Sequence, residues 1–486
     1  MSLGVLLVVI PFENDAQALY LGSVFCAVIS CCVRILIEHG TKKFLGEIVS
    51  IYAGILIISS LLLRIVRIND WGIYIELFLR DVAPVLFLIV ILLCSLPKGF
   101  LPNLSYPYKI WFKLSFFGML FLMGLQFISS FSGISPEMSF YQFRHELGLY
   151  IALFFVAIFT VTTLPRVRGY LLIMVFIGLV VGIISSIENL LYYIGGESIR
   201  HFLFEHEFIR TYLGERIKPV RSQFPFYHHN RLGFYLVSIV FLVIAFRGFL
   251  SKRSWTRWYP AAAVIPAAGL ILTFTRSAVL ACIGGVLIMF LLTRWYRLIG
   301  LVLIIIIFLI AAPRSVQKHY LTIFQEATYR SSDSSAYGRL VGWDIAREII
   351  LQHPFMGIGY GWRNFEVMNR IYPGQFIYSH CHNSYLEIAC ESGILAMFVF
   401  VFSYLSLIVL HIRVWLRMPP LPVRKTVIAW IGLLCAIGLY MFTNFILRYS
   451  TGMFTWILLA ISFRFITLVL PEKYRGEIDQ SSADMV

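Results

Sequence analysis

Acidic residues are scarce in this chain, with 25 Asp and Glu among 486 residues against 40 Lys and Arg. Only seven of them are aspartates, and no two form a D-x-D pair. An enzyme that holds a nucleotide-sugar through a divalent cation needs such oxygen ligands. No G-x-x-x-x-G-K-[ST] loop is present, so nothing indicates energy drawn from bound ATP. The eight cysteines, Cys26, Cys31, Cys32, Cys94, Cys282, Cys381, Cys390 and Cys435, make no C-x-x-C pair. Most lie within apolar runs and read as small apolar fillers, not as a disulfide or zinc framework. Low-complexity segments and internal repeats are also lacking. The first residues, "MSLGVLLVVIPFENDAQ", have neither the basic start nor the small-residue cleavage site of a signal peptide.

Apolar residues fill the space left by charge. The chain is 59% hydrophobic and 13% charged, where soluble proteins average about 25% charged. Mean hydropathy is +0.82. A membrane span needs about 20 mostly apolar residues. Runs of that kind lie near 17–37, 44–65, 73–96, 110–130, 146–164, 169–194, 231–249, 258–275, 277–293, 299–312, 384–412, 426–445 and 451–470. The expected fold is therefore all-α and polytopic, with about 12–14 transmembrane helices. The formal charge of +15 then reflects loop lysines and arginines that set topology, and nucleic acid is not an expected partner.

Short connections fall into two alternating sets. One is rich in cations: Lys42/Lys43, Lys98/Lys109, Arg166/Arg168, Lys252/Arg253/Arg257, Arg294/Arg297 and Arg413/Arg417/Arg424/Lys425. The other has only Arg67, Arg144 and Arg448. The rich set should face the cytoplasm. Two long connections, 195–230 and 313–383, then face outward, and loops of that length are usually functional. This divides the chain into N-terminal helices (1–200), a central region with both long loops (201–412) and C-terminal helices with a tail (413–486). Few acids fall inside spans: Glu76 and Asp81 beside Arg80, which suit mutual pairing, and Glu188.

The polar chemistry collects in and beside the outer loops. "SIRHFLFEHEFIRTYL" has the spacing of an amphipathic helix at the membrane surface. Beyond it come Arg221, His228, His229 and Asn230. In "LTFTRSAVLACIGG", Arg276 stands between apolar stretches, where it suits either a snorkelling anchor or a phosphate ligand. "AYGRLVGWDIAREIILQHP" has helical periodicity and should stop at His353-Pro354. "GIGYGW" reads as a plain turn. In "HCHNSYLEIACESG", Ser384 can cap a helix and Glu387 can close a capping box, with the helix continuing to about His411. His382 would then sit before a helix N-terminus, whose positive end favours a neutral imidazole able to accept a proton. The same spot suits an anion. Three other readings are a metal held by His380, His382 and Glu387 or Glu391, a structural role, and a Cys381–His382 nucleophile pair. The metal reading fits no common zinc spacing.

"HNSYLEIACESGILA" resembles the signature of the O-antigen ligase and polymerase family, in which His then Asn is followed, after nine residues, by Gly. His382, Asn383 and Gly393 fit, while Ala396 departs from the Gly, Thr or Tyr usual in the family's ligases. "RSQFPFYHHNRLGFYL" is similar to the family's Arg-then-Asn-x-x-Gly segment. "LTFTRSAVLACIGG" is similar to its Thr/Ser-Arg-Ser helix start. "GRLVGWDIAREIILQHPFMGIGYGWRNF" is similar to its outer loop.

The resemblance implies a membrane glycosyltransferase (GT-C-like) fold with the site facing the periplasm of a bacterial inner membrane. It implies a glycan donor on undecaprenyl diphosphate, a lipid A-core or glycan acceptor, surrounding membrane lipids, and neither metal nor cofactor. Carried over, Arg221 and Arg276 hold the diphosphate and His382 serves as base, with inversion at the sugar. Arg339, Asn383 and Asn230 are secondary candidates, and Tyr337 and Trp343 weaker ones. The family alternatives are a ligase and a polymerase of O-antigen or exopolysaccharide. A transporter or flippase for a lipid-linked glycan is a third possibility, but it should show repeats and mid-membrane polar sites. Arg363 and Gly374 have a spacing linked to polymerases, in residue types too common to decide.

Overall fold

In the protein's structure, a computed structural model, the described residues are 106–204, 228–250, 253–293, 335–371, 380–419 and 422–470, with Leu104, 221–223 and Phe226. The regular elements there are helices, as lipid requires when every backbone amide must be satisfied within the chain. Numbered along the described chain, they begin with α1 (Tyr108–Ser132), α2 (Pro136–Gln142), α3 (Gly148–Thr160) and α4 (Leu164–Phe204). Then come α5 (His229–Phe246), α6 (Arg253–Leu272) and α7 (Arg276–Thr293). The outer-loop helices are α8 (Ser335–Gln352), α9 (Trp362–Ile371) and α10 (Ser384–Ser392). The last three are α11 (Ile394–Arg417), α12 (Pro422–Met441) and α13 (Tyr449–Val469).

Seven of these are long and apolar enough to cross a membrane: α1, α4 over Leu164–Leu191, α5 with the short turn after it, α7, α11, α12 and α13. The protein is a polytopic all-α membrane protein. The expected spans near 17–37, 44–65, 73–96 and 299–312 lie outside the described residues, as do Glu76, Arg80 and Asp81.

Two expected spans are corrected. The run at 146–164 yields only the 13-residue α3, entered through a π-helical turn at Phe143–Leu147. At 1.5 Å per residue it reaches about 20 Å, short of the roughly 30 Å hydrocarbon core. The run at 258–275 lies largely within the 20-residue α6, Arg253–Leu272, whose stretch Ala262–Leu272 is apolar. The run at 384–412 is two helices, parted at Gly393. The first outer loop also starts later than expected. α4 continues without a break to Phe204, so Ser198–Phe204 is its last part, while the rest of the expected amphipathic segment, 205–213, lies outside the described residues.

Between lipid-exposed helices no hydrophobic driving force exists, so close packing and polar contacts do the holding. α1 and α11 approach closely at Gly118, where a Cβ would lie 1.9 Å from Ser403 Oγ. The buried His411 on α11 meets Ser462 Oγ on α13 at 3.1 Å. Thr426 Oγ1 at the start of α12 donates to Ala245 O at the end of α5 (2.8 Å). Such bonds contribute about 0.6–2 kcal/mol each. Trp430 and Trp456 are fully buried inside the bundle.

The ends of the bundle differ. Arg413 and Arg417 at the end of α11 lie over the rings of Trp111 and Tyr108 at the start of α1. The starts of α5, α7, α10 and α13 lie at the other end, tied to one another by hydrogen bonds.

Candidate functional site

Four helix beginnings are fastened together. Thr275 Oγ1, just before α7, donates to His229 O at the start of α5 (3.2 Å). Asn444 Nδ2, between α12 and α13, donates to Ser277 Oγ at the start of α7 (2.8 Å). Ser384 Oγ, at the start of α10, donates to Asn444 O (2.9 Å) and accepts Ile446 N (3.2 Å). Tyr440 Oη donates to Asn230 O at 2.8 Å. Each helix start brings the positive end of a dipole, so their meeting suits an anion.

The expected residues lie at these beginnings. Arg276 is the first residue of α7. Arg221 Nη1 donates to His229 Nε2 at 2.7 Å, while Ser222 N and Oγ fasten the strand of loop to Leu272 O and Ser185 O. Glu188 accepts Gln223 N at 3.0 Å, so this buried acid anchors the Arg221 loop. Asn230 lies in the first turn of α5, its amide bonded to His228 Nδ1 at 3.1 Å.

His382 precedes α10, with φ of 54°. Among the described residues the other non-glycine positions with positive φ are Phe274 and Tyr449. Phe274 stands two residues before Arg276, and Tyr449 opens α13. Left-handed backbone is strained for aromatic and imidazole-bearing residues, and such strain concentrates where function requires a fixed geometry. All three outliers border this one site.

The histidines form two ring pairs, His228 with His229 at 4.6 Å and His380 with His382 at 4.2 Å. Burial, then the Arg339 guanidinium, lowers the His382 pKa to about 4. Burial, then Arg231, His382 and Arg221, lowers His228 to about 4. His380 is held well below the ordinary value by burial, then His382 and Arg448. These histidines are therefore neutral near pH 7. Arg339, expected as a secondary residue, lies on α8 and acts directly on His382. Trp343, on the same helix, packs against the apolar cluster of Ala346, Ile349, Ile358 and Phe365. Arg363 is exposed, over the Trp362 ring.

The expected capping box is corrected. Asn383, not Ser384, caps α10: its Oδ1 accepts Tyr385 N (3.0 Å) and Leu386 N (3.2 Å). Ser384 is committed to the α12–α13 connection instead. Glu387 does not reach back to a cap amide but accepts Cys381 N (3.1 Å) and Cys381 Sγ (3.2 Å). That clamps the His380–Cys381–His382 turn from behind. Burial pushes the Cys381 thiol well up, and with its sulfur turned to Glu387 it makes no nucleophile pair with His382. Glu391 is ion-paired with Arg448. No group of three His, Cys, Asp or Glu among the described residues is arranged to hold a metal.

The helix break after α10 also has a local cause. Gly393 has φ of 87°, and a Cβ there would lie 2.0 Å from Phe355 O. Ile394 N then bonds to Pro354 O at 2.8 Å. Gly357, Gly359 and Gly361 all have positive φ, and Ile358 N and Gly359 N bond to Cys390 O and Glu391 O. So "GIGYGW" is a turn, as expected, but one fitted to the end of α10 and followed at once by α9.

Arg448 was not singled out by sequence. It is 1% exposed, paired with Glu391 and 3.8 Å from Glu146. Its guanidinium lies 5.5 Å from the Tyr360 ring and 4.8 Å from the Phe445 ring. It forms the floor beneath His380. A lone arginine just before an apolar run was the only signal in the sequence.

Residues 261–401 match the family model described as O-antigen ligase. That stretch holds Arg276, Arg339, His382, Asn383 and Gly393, while Arg221 and Asn230 precede it. No curated protein sequence matches the chain. Residues 261–401, which carry the helix start at Arg276, the outer loop and the His382–Asn383 turn, are thus similar to the O-antigen ligase family.

Proposed function

We propose that the protein transfers a glycan from a polyprenyl diphosphate to an acceptor hydroxyl, at the periplasmic end of a bacterial inner-membrane bundle. What supports this is the meeting of four helix beginnings beside one neutral imidazole, that of His382, on which Arg339 acts, with Arg221 held against the neighbouring His229 and Arg276 opening α7. A diphosphate is the anion such a place suits. Arg221 and Arg276 hold it, with Arg339 between it and His382.

The bond from the anomeric carbon to the diphosphate oxygen breaks, and its electron pair stays on the diphosphate. Fixed cations stabilise the charge that develops there. The acceptor oxygen forms the new bond from the opposite face, inverting the sugar, and its proton passes to His382. An imidazole with a pKa near 4 is a weak base. The bound diphosphate raises it, because a neighbouring anion favours the protonated ring. The base is thus strengthened when the donor is in place. Asn383 holds the turn that aims His382.

A ligase and a polymerase differ only in the acceptor. The reading is tested by reconstitution with a defined polyprenyl-diphosphate glycan and two acceptors, lipid A-core and a second lipid-linked glycan. Product on lipid A-core identifies a ligase, and a lengthened lipid-linked glycan a polymerase. His382→Ala, Arg221→Ala and Arg276→Ala should each lower turnover by about 10²–10⁴-fold, the span of general acid–base and electrostatic contributions. Full turnover in His382→Ala removes the base assignment.

A further inference from the structure

The end of the bundle remote from His382 carries its own unassigned feature. α11 begins beside the site and ends at Arg417 after 24 residues, a rise of about 36 Å. There Arg413 Cζ lies 5.3 Å from the Trp111 ring and Arg417 Cζ 5.9 Å from the Tyr108 ring. Arg424, at the start of α12, lies 5.0 Å from the Trp415 ring. No carboxylate pairs with any of these three among the described residues. Stacking fixes a guanidinium plane while leaving its N–H edges free for an anion.

Two apolar grooves adjoin this cluster. One, of about 320 Å³, runs along α11 past Val409, Ile412 and Leu416 to Arg413 and Arg417. The other, of about 400 Å³, lies between α1 and α11, where Phe117, Phe121 and Phe402 line it and Lys113 stands at its rim. Leu416, Phe402 and Phe117 are 60%, 55% and 44% exposed, as residues facing acyl chains should be. A tryptophan and stacked arginines mark the headgroup level of a bilayer.

From this geometry we infer that the ends of α1, α11 and α12 form a binding site for an anionic diacyl phospholipid in the leaflet opposite the candidate site. Arg413 and Arg417 take the phosphate, and the two grooves take the acyl chains. Charge complementarity selects this occupant: a zwitterionic lipid brings a cation against guanidinia that pair with no acid among the described residues, whereas an anionic one supplies a counter-charge.

The test uses the full chain, purified and delipidated. Native mass spectrometry would compare retention of phosphatidylglycerol and phosphatidylcholine offered at equal concentration. The wild type should retain phosphatidylglycerol preferentially and gain thermal stability from it alone. Each arginine near the surface contributes about a fivefold factor, so R413Q/R417Q should weaken retention about 25-fold. R347Q/R363Q, which removes equal charge from exposed positions on the outer loop, should leave it unchanged. Equal retention of the two lipids by the wild type overturns the inference, whether or not the double variant folds. So does equal loss in the two double variants. Cross-linking of a Leu416→Cys variant to the chain's own N-terminal apolar runs, in place of lipid, would show another occupant and overturn it as well.

Discussion

Arg448 on the α12–α13 connection is ion-paired with Glu391 on α10, two residues that are 1% and 2% exposed. The pair joins the helix behind His382 to the helix that ends the described bundle. Breaking a buried pair from one side leaves an uncompensated charge and costs about 3–5 kcal/mol. Glu391→Ala and Arg448→Ala should therefore each lower the melting temperature in detergent markedly. The double variant Arg448→Met/Glu391→Leu removes both charges and should melt higher than either single variant, with Glu146 the remaining acid nearby. Scanning calorimetry of the three proteins checks the order, and a double variant that melts lowest contradicts it.

Gly393 makes a second stability prediction. Left-handed backbone costs an L-residue about 1–2 kcal/mol, and a Cβ here also meets Phe355 O at 2.0 Å. Because that neighbour is backbone, it cannot swing aside. Gly393→Ala should lose most of its monodisperse protein on size-exclusion chromatography. Leu395→Ala, two residues on and 52% exposed, should elute like the wild type.

The helices were legible because about 20 apolar residues in a row have few other solutions. The helix break was not, because the contacts that fix Gly393 come from Pro354 and Phe355, distant in sequence. The cap was misread by one residue for a similar reason. Asn and Ser both cap helices well, so "HNSYLE" leaves two registers open. Asn444 and Ile446, some 60 residues on, claim the Ser384 hydroxyl and decide between them. Arg448 looked like one more orientation charge; its burial depends on Glu391, Glu146 and Tyr360, which only the fold brings together. By contrast, His382, Arg276 and Arg221 stand out in the sequence individually as candidates, since charged or titratable groups beside apolar runs are conspicuous.

Asn383 provides a test of the corrected cap. Its Oδ1 accepts two α10 amides, and truncation of such a cap costs about 1 kcal/mol. Asn383→Ala should melt lower by that amount and lose turnover more steeply, because His382 adjoins it in the same strained turn. Asn383→Asp and Asn383→Ser keep an oxygen there and should recover most of the stability. Ser384→Ala leaves the cap intact and should loosen the α12–α13 connection instead, raising hydrogen exchange at Ile446. Unchanged exchange at Ile446 in that variant would count against the assignment.

The pH dependence follows from the depressed imidazoles. A group whose folded pKa lies below its unfolded value destabilises the fold as pH falls from about 6.5 towards the folded value, since the unfolded chain binds protons first. For His228 and His382 that window runs from about 6.5 down to about 4. Melting temperature should therefore decline across it. In kcat/KM for the donor, the acid limb reports the free enzyme and should fall near 4, not near the ordinary histidine value. In kcat the donor is bound, its diphosphate favours protonation, and the limb should move to higher pH. Arg339 acts in the opposite sense. Arg339→Gln removes a cation that lowers His382, so the kcat/KM limb should shift upward even where the maximal rate drops. Limbs that coincide in kcat and kcat/KM, and that Arg339→Gln leaves in place, would assign the titration to a group other than His382.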